Sequence, residues 1–526
     1  MAAKGLARAM IVITTISAAV MELLDTTIVN VALNQMAGSL GATIEDVAWV
    51  VTSYAIANVI IIPMTGFLGD YFGRKTYYLG SILLFGISSY FCGASHGLWE
   101  LVFWRFIQGV GGGALLSTSQ AILFDAFEPK DRPIASGIFG MGIILGPTLG
   151  PALGGYIVEH FTWQDIFFVN IPICIAATIL TILYIERKEG EGQKKDKIII
   201  DYPGIFLLTL GIGSLQYVLE KGESDDWFES RTIVILSLAA VVGLVGFVWR
   251  ELTTEHPVVD LKIFRYKVFG LSTIFTFVAG LGLFTSVFVY PVMVQRINGF
   301  TPLETGLSLI APTMLGVILF PVIGRRMAAG DSPLPYMAIG ILIFVFFGFY
   351  SGTATPEMGK WDFFPMQVCR VLGVAMLQMP LINQAVAGLQ QREYPAGIAL
   401  TNMIRQLGGA FGIALANNYV TNAAAQHRSD LMANMTMDNP LFVQRLNGSI
   451  ANFASKTGDY FGATKMAYAQ LEGLVAKQAY YLAYLDTYRV VSLFFIAIFP
   501  LLLLLRTKKK TKEEIAAAAK AAADSH

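Results

Sequence analysis

Glu22 and Asp25 stand three residues apart inside an apolar run, "ISAAVMELLDTTIVNVAL" (16–33). Residues at i and i+3 of a helix share one face. An acid at the centre of a membrane helix costs about 2.5–3.5 kcal/mol to insert, so an acid kept there has a use. Two carboxyls this close in a low dielectric resist carrying two negative charges at once, which suits the pair to loading and releasing a proton. Glu22 is equally suited to attracting a cationic substrate. Arg105 lies in a second apolar run, "FWRFIQG" (103–109). A guanidinium there needs a partner, and a carboxylate of the first run is the natural one. Gln108, one turn on, extends the polar network. Arg370 in "QVCRVLG" (367–373) and Arg405 in "NMIRQLGGAFGIAL" (402–415) are later counterparts, divided evenly between a role in a cavity and bonding between helices. Asn30, Gln378, Asn383, Gln384 and Asn402 are candidate cavity amides.

The five histidines (His96, His160, His256, His427, His526) all fall at the edges of apolar runs or outside them. That leaves carboxylates to carry protons, since the residue best suited to titrate near neutral pH is missing from the middle of every run. There is no Walker-type loop, HExxH or paired CxxC, so ATP hydrolysis, zinc chemistry and any other cofactor or metal are not expected. Nor is enzymatic activity or a nucleic-acid partner. Cys92, Cys174 and Cys369 sit in apolar runs as small packing residues.

The elements that must hold these groups are membrane helices. The chain is 55% hydrophobic and 14% charged over 526 residues, with a mean hydropathy of +0.59. A soluble domain carries about 25% charged residues. Apolar runs long enough to span a bilayer, about 20 residues each, predict fourteen helices. They cover 9–33, 46–68, 77–95, 98–124, 134–158, 166–185, 201–220, 231–250, 268–292, 303–325, 334–353, 362–388, 396–420 and 486–505. An acidic first run is not the core of a cleavable signal. With the N-terminus in the cytoplasm, alternate connections hold Arg74 and Lys75, Lys130 and Arg132, "ERKEGEGQKKDK" (186–197), residues 249–267, Arg325 and Arg326, and Arg392. The tail adds "RTKKKTK" (506–512), while the opposite short connections are poor in Lys and Arg. Both termini are therefore expected inside.

The spans divide as six, two and six. This gives a first half over 1–190, an inserted hairpin with basic flanks over 191–260, a second half over 261–510 and a tail over 511–526. A pseudo-twofold transporter has this plan. Residues 421–485 form a long polar extracytoplasmic segment, either a solvated flap or a docking surface for a partner protein. "GMGIILGPTLGPALGG" (140–155) places Gly142, Gly146, Gly150 and Gly154 four apart, with Pro147, Pro151 and Gly155 among them. Glycines four apart make a smooth stripe for a close helix neighbour.

Several of these stretches resemble the major facilitator superfamily. "GFLGDYFGRKTYYLG" (66–80) is similar to its loop signature, "RFIQGVGGG" (105–113) to its second motif, and 140–155 to its antiporter motif. "LDTTIVNVAL" (24–33), "YPVMVQRINGFTPLETGLSLIAP" (290–312) and 402–415 resemble its fourteen-helix drug:proton antiporter branch (the EmrB/QacA type). Asn34 and "WQDIFFVNIP" (163–172) depart from the family pattern near helix ends. The resemblance implies an all-α polytopic fold and export of small amphipathic or cationic compounds in exchange for protons. It implies proton coupling at Asp25 and Arg105, with Glu22, placed there by its spacing to Asp25, ranked second for proton transfer. It also implies a conformational latch of Gly66, Asp70, Gly73, Arg74 and Asp125, and contact of the glycine-rich fifth helix with the second half. By the same resemblance the protein belongs in a bacterial inner (plasma) membrane, in contact with the lipid bilayer. A periplasmic adaptor (membrane fusion) protein would dock on 421–485. A same-fold exporter of a lipid or siderophore, and a non-transporting scaffold or sensor, are the alternatives.

Overall fold

The computed structural model describes residues 5–187, 200–390 and 393–505. Most of the basic segment 186–197, Arg392 and the tail from 506 onward lie outside the described residues. The helices are α1 (Leu6–Leu40), α2 (Ile44–Val47), α3 (Trp49–Phe72), α4 (Arg74–Ala94), α5 (Leu98–Ala126) and α6 (Arg132–His160). There follow α7 (Asp165–Phe168), α8 (Asn170–Tyr184), α9 (Tyr202–Lys221), α10 (Arg231–Thr253), α11 (Lys267–Met293) and α12 (Pro302–Ala328). The last are α13 (Pro333–Ser351), α14 (Phe364–Ala387), α15 (Tyr394–Met432), α16 (Pro440–Thr457) and α17 (Tyr460–Ile498). Thirteen helices among the described residues are long and apolar enough to cross a membrane. The 29-residue α5 falls outside that group. Its glycines, serines and Arg105 lower its hydropathy while it packs between α3 and α4.

Local chemistry sets several helix boundaries. Gly73 has φ +82°, which frees the sharp break between α3 and α4 from Cβ strain. Thr301 and Glu304 form a reciprocal capping box at the start of α12. The Asp201 side chain caps α9 by accepting from the Gly204 amide at 3.2 Å. α9 and α10 form a tight pair in which a Cβ at Gly211 would lie 2.7 Å from the Leu244 nitrogen. That pair rests on α3 and α15 through α9.

The segment 421–485 differs from its polar appearance. α15 runs on to Met432, α16 follows, and α17 begins at Tyr460, so most of it is helical. Leu446, Ile450, Ala467 and Leu471 give it a small core of its own. Helical hydrogen bonds satisfy the backbone as well in water as in lipid, so polarity marks where α15 and α17 leave the apolar layer and not where they end.

The glycine stripe also meets a different neighbour from the one expected. α6 stays one helix through Pro147 and Pro151. An added Cβ at Gly146 would lie 2.5 Å from Leu23 Cβ, and one at Gly154 would lie 2.9 Å from Ile28 Cγ1, both on α1. The stripe is thus the seat of α1. Contact with the later helices uses another face of α6. There Gly155 faces the Leu303 nitrogen at 2.7 Å and Gly137 faces the Phe320 carbonyl at 2.7 Å, both on α12. A period of four reveals that a face is smooth, but not which helix lies on it.

Candidate functional site

The acids of α1 lie at the heart of the bundle. Asp25 is 0% exposed and Arg105 is 1% exposed. Arg105 Nη1 donates to Asp25 Oδ2 at 2.5 Å and to Gln108 Oε1 at 2.7 Å. Its Nε donates to the Val50 carbonyl at 3.1 Å. Asp25 Oδ1 accepts from Gln108 Nε2 at 3.1 Å and from Asn170 Nδ2 at 2.8 Å. Ser89 Oγ accepts from both amides and donates to the Phe167 carbonyl. The guanidinium carbon stands 4.2 Å from the Tyr54 ring centre, so an aromatic face covers the cation. The pair is therefore compensated on every side by α3, α4, α5 and α8, as a buried ion pair requires.

Glu22, one turn earlier, has different surroundings. It is 2% exposed. Its Oε1 accepts from Asn58 Nδ2 at 3.1 Å, and its Oε2 is buried without a partner. Asn58 Oδ1 accepts from Gln406 Nε2 at 2.9 Å, which joins α3 to α15. The neighbouring Arg405 is buried and within electrostatic reach of Glu22. Asn402 donates to Ser117 Oγ at 3.1 Å and Gln120 Oε1 at 3.3 Å, both on α5. Arg405 therefore lies within reach of Glu22, and Asn402, one turn earlier on α15, bonds α5.

The α14 candidates lie apart from this cluster. Arg370 is 3% exposed and donates to Gln367 Oε1 at 2.7 Å. No carboxylate pairs with it among the described residues. A small gap beside it is walled by Pro147, Thr148, Leu283 and Val287. Asn383 accepts from Ser136 Oγ of α6 at 2.8 Å. Gln378 and Gln384 are buried, and Asn30 is exposed and joins none of these groups.

Of the residues expected to form a latch, Arg74 pairs with Asp125, tying α4 to α5. Asp70 is exposed. Gly66 faces α15, where an added Cβ would lie 3.2 Å from the Ala396 Cα. Asn58, Asn170, Ser89, Tyr54 and Gln406 belong to the site although sequence reasoning passed over them. Their one signal was an amide or hydroxyl in an apolar run, which many structural residues share.

Many long apolar helices around a buried, closely bonded acid–base pair are an arrangement suited to a multi-pass secondary transporter. The chain belongs to the Major Facilitator Superfamily, whose model matches residues 15–413. It is 34% identical to "Multidrug export protein EmrB" of Escherichia coli (strain K12), over 83% of this chain and 85% of that protein. It is 32% identical to "Fatty acid resistance protein FarB" of Neisseria gonorrhoeae, over 82% of this chain and 85% of that protein. Among solved structures it shares the fold of the human organic anion transporter MFSD10 (TETRAN), with a TM-score of 0.57 and 13% identity. That match covers 94% of this chain and 99% of the other. The chain is thus related to exporters of drugs and other small molecules.

Proposed function

We propose that the protein is a proton-coupled exporter of small amphipathic compounds working by alternating access from a bacterial inner membrane. Fourteen spans divide into two six-helix halves, α1, α3–α6 and α8 against α11–α15 and α17, with α9 and α10 inserted between them. Both termini face the cytoplasm. The observation that carries this reading is the Asp25–Arg105 pair, sealed from water in the first half. A proton arriving on Asp25 removes its charge and loosens its hold on Arg105. Gln108 and Asn170 then reorganise, and α1 is free to shift against α6 and α15. Glu22 reads the substrate's charge from its place at the seam beside Arg405. One charge crossing 100 mV releases about 2.3 kcal/mol, enough for a gradient of roughly fifty-fold. Gly66 against α15, together with Gly73, Asp70 and the Arg74–Asp125 pair, forms the latch at one mouth.

The projecting α15, α16 and α17 offer Leu441 and Phe461, 75% and 71% exposed, as a seat for a periplasmic adaptor. The buried Arg370, with no acid beside it among the described residues, favours a second reading on the same fold, export of a physiological lipid or siderophore that carries an anionic group. The test is proton release on adding substrate to purified protein, followed by flux in proteoliposomes. Absence of release, with Asp25→Asn behaving as the parent, sinks the antiport reading. Preference for an anionic over a cationic substrate, abolished by Arg370→Gln, selects the second.

A further inference from the structure

A cavity of about 190 Å³ lies among α11, α15, α17 and the α9–α10 turn, walled by Glu223, Phe288, Arg296, Asn417, Tyr480 and Tyr484. Asn417 is twelve residues beyond Arg405 on α15, which places the cavity about 18 Å along the helix from the central network. Its volume equals that of roughly six waters. Two opposite charges face it, and neither has an ionic partner among the described residues. Arg296 stacks over the Tyr480 ring at 5.3 Å. Glu223 Oε2 accepts only neutral donors, Trp227 Nε1 and Asn418 Nδ2, each at 3.3 Å.

Arg296 lies in unusual backbone, and Glu223 stands just before another such turn. Arg296 sits in a π-helical turn, Val294–Asn298, at the end of α11, and such turns gather at functional sites. Asp226 and Trp227 have φ of +56° and +50°, the non-glycine residues with positive φ among those described. This conformation costs of order 1–3 kcal/mol per residue. Here it folds the indole back onto Gly222 and points its N–H at Glu223. Two irregular turns thus hold an acid and a base on the wall of one cavity without letting them meet.

We propose that this cavity is a second ligand site that takes the zwitterionic end of an amphipathic molecule. An ammonium group would sit against Glu223 and a carboxylate or phosphate against Arg296. The apolar part would lie on Phe288, Tyr480 and Tyr484. The same chemistry belongs to a small zwitterionic solute and to a phosphoethanolamine headgroup. This site goes beyond the transport reading and does not depend on it.

The experiment uses the full-length protein in nanodiscs of phosphatidylglycerol, which supplies no ammonium. One probe is 4-(aminomethyl)benzoate, with benzylamine and benzoate as its single-charge halves. The other is dihexanoyl phosphatidylethanolamine, with dihexanoyl phosphatidylglycerol as control. Equilibrium binding of at least one zwitterion is expected, tighter than its controls by about ten-fold or more. Glu223→Gln and Arg296→Gln should each weaken it by a similar factor, whereas Arg296→Lys, which keeps the charge, should retain most of it. Binding of the solute alone, the lipid alone or both identifies the source, and each supports the site. If neither zwitterion binds, or binding survives both neutral substitutions, the proposal is overturned. Arg296→Lys losing binding as fully as Arg296→Gln also overturns the charge assignment.

Discussion

Glu22 and Asp25, three residues apart on α1, have their carboxylates in different networks. Arg105 Nη1 holds Asp25 at 2.5 Å, within the early helices. Asn58 Nδ2 holds Glu22 at 3.1 Å, and Asn58 in turn is held by Gln406 of α15. One helical turn therefore separates an acid enclosed by its own group of helices from an acid at the meeting with another. The two carboxyls share no hydrogen-bond partner.

Asp25→Asn should destabilise the protein as well as stop proton release. It leaves a guanidinium that is 1% exposed with no anion, a loss of about 3–5 kcal/mol. Thermal unfolding in detergent should show a clear drop, with partial recovery in the Asp25→Asn/Arg105→Gln pair. A single variant as stable as the parent would contradict the pairing.

Glu22→Gln should keep the Asn58–Gln406 link, because the amide oxygen still accepts from Asn58. It should cost less stability than Asp25→Asn, because Glu22 makes no hydrogen bond to Arg405. What it loses is a negative charge beside Arg405. Binding of a cationic substrate should weaken by about ten-fold, with a neutral analogue of similar size little changed. Equal loss for both would assign Glu22 to structure instead.

Gly66 and Ala396 offer a crosslink. An ideal Cβ at Gly66 lies 3.5 Å from Ala396 Cβ, within the separation of about 3.5–4.5 Å that a disulfide spans. A Gly66→Cys/Ala396→Cys pair, with the three native cysteines replaced, should oxidise readily. Transport should stop on oxidation and return with reductant. Free transport by the oxidised protein would remove this contact from the cycle.

Gly150→Leu and Gly155→Leu should fail differently, because the first presses on α1 and the second on α12. Gly150→Leu pushes at Thr27, two residues from Asp25, and should impair both folding yield and substrate-driven proton release. Gly155→Leu should leave proton release measurable while slowing transport. Identical profiles would mean that the two faces of α6 are not separate.

Much of this was legible in the chain itself. A charge in an apolar run is costly enough to stand out, so Asp25, Arg105 and Glu22 could be singled out without coordinates. The amides that complete the site could not. Nothing local distinguishes Asn170, which bonds Asp25, from Asn30, which is exposed. The glycine stripe was readable as a packing face, but its partner is set by tertiary arrangement, and α1 occupies it. In the polar stretch after residue 420 only "TKMAYAQLEGLVAKQAYYLAYL" looks amphipathic, and it lies in α17. The extension of α15 and the helix α16 do not show in hydropathy, which reports the surroundings of a helix and not the hydrogen bonds that make it.

α15 and α17 each run for 39 residues, about 58 Å at 1.5 Å per residue, against an apolar layer of about 30 Å. Each is one uninterrupted rod that begins or ends in a different solvent from its middle. A rod of this kind is a lever. A tilt of about 10° at the middle of such a rod, acting over roughly 30 Å, swings its tip by about 5 Å. Because α16 is packed on the far end of α17 and α17 on α15, a small tilt of these rods, were it to accompany a change around Arg405 and Gln406, would displace the α16 end by several ångströms.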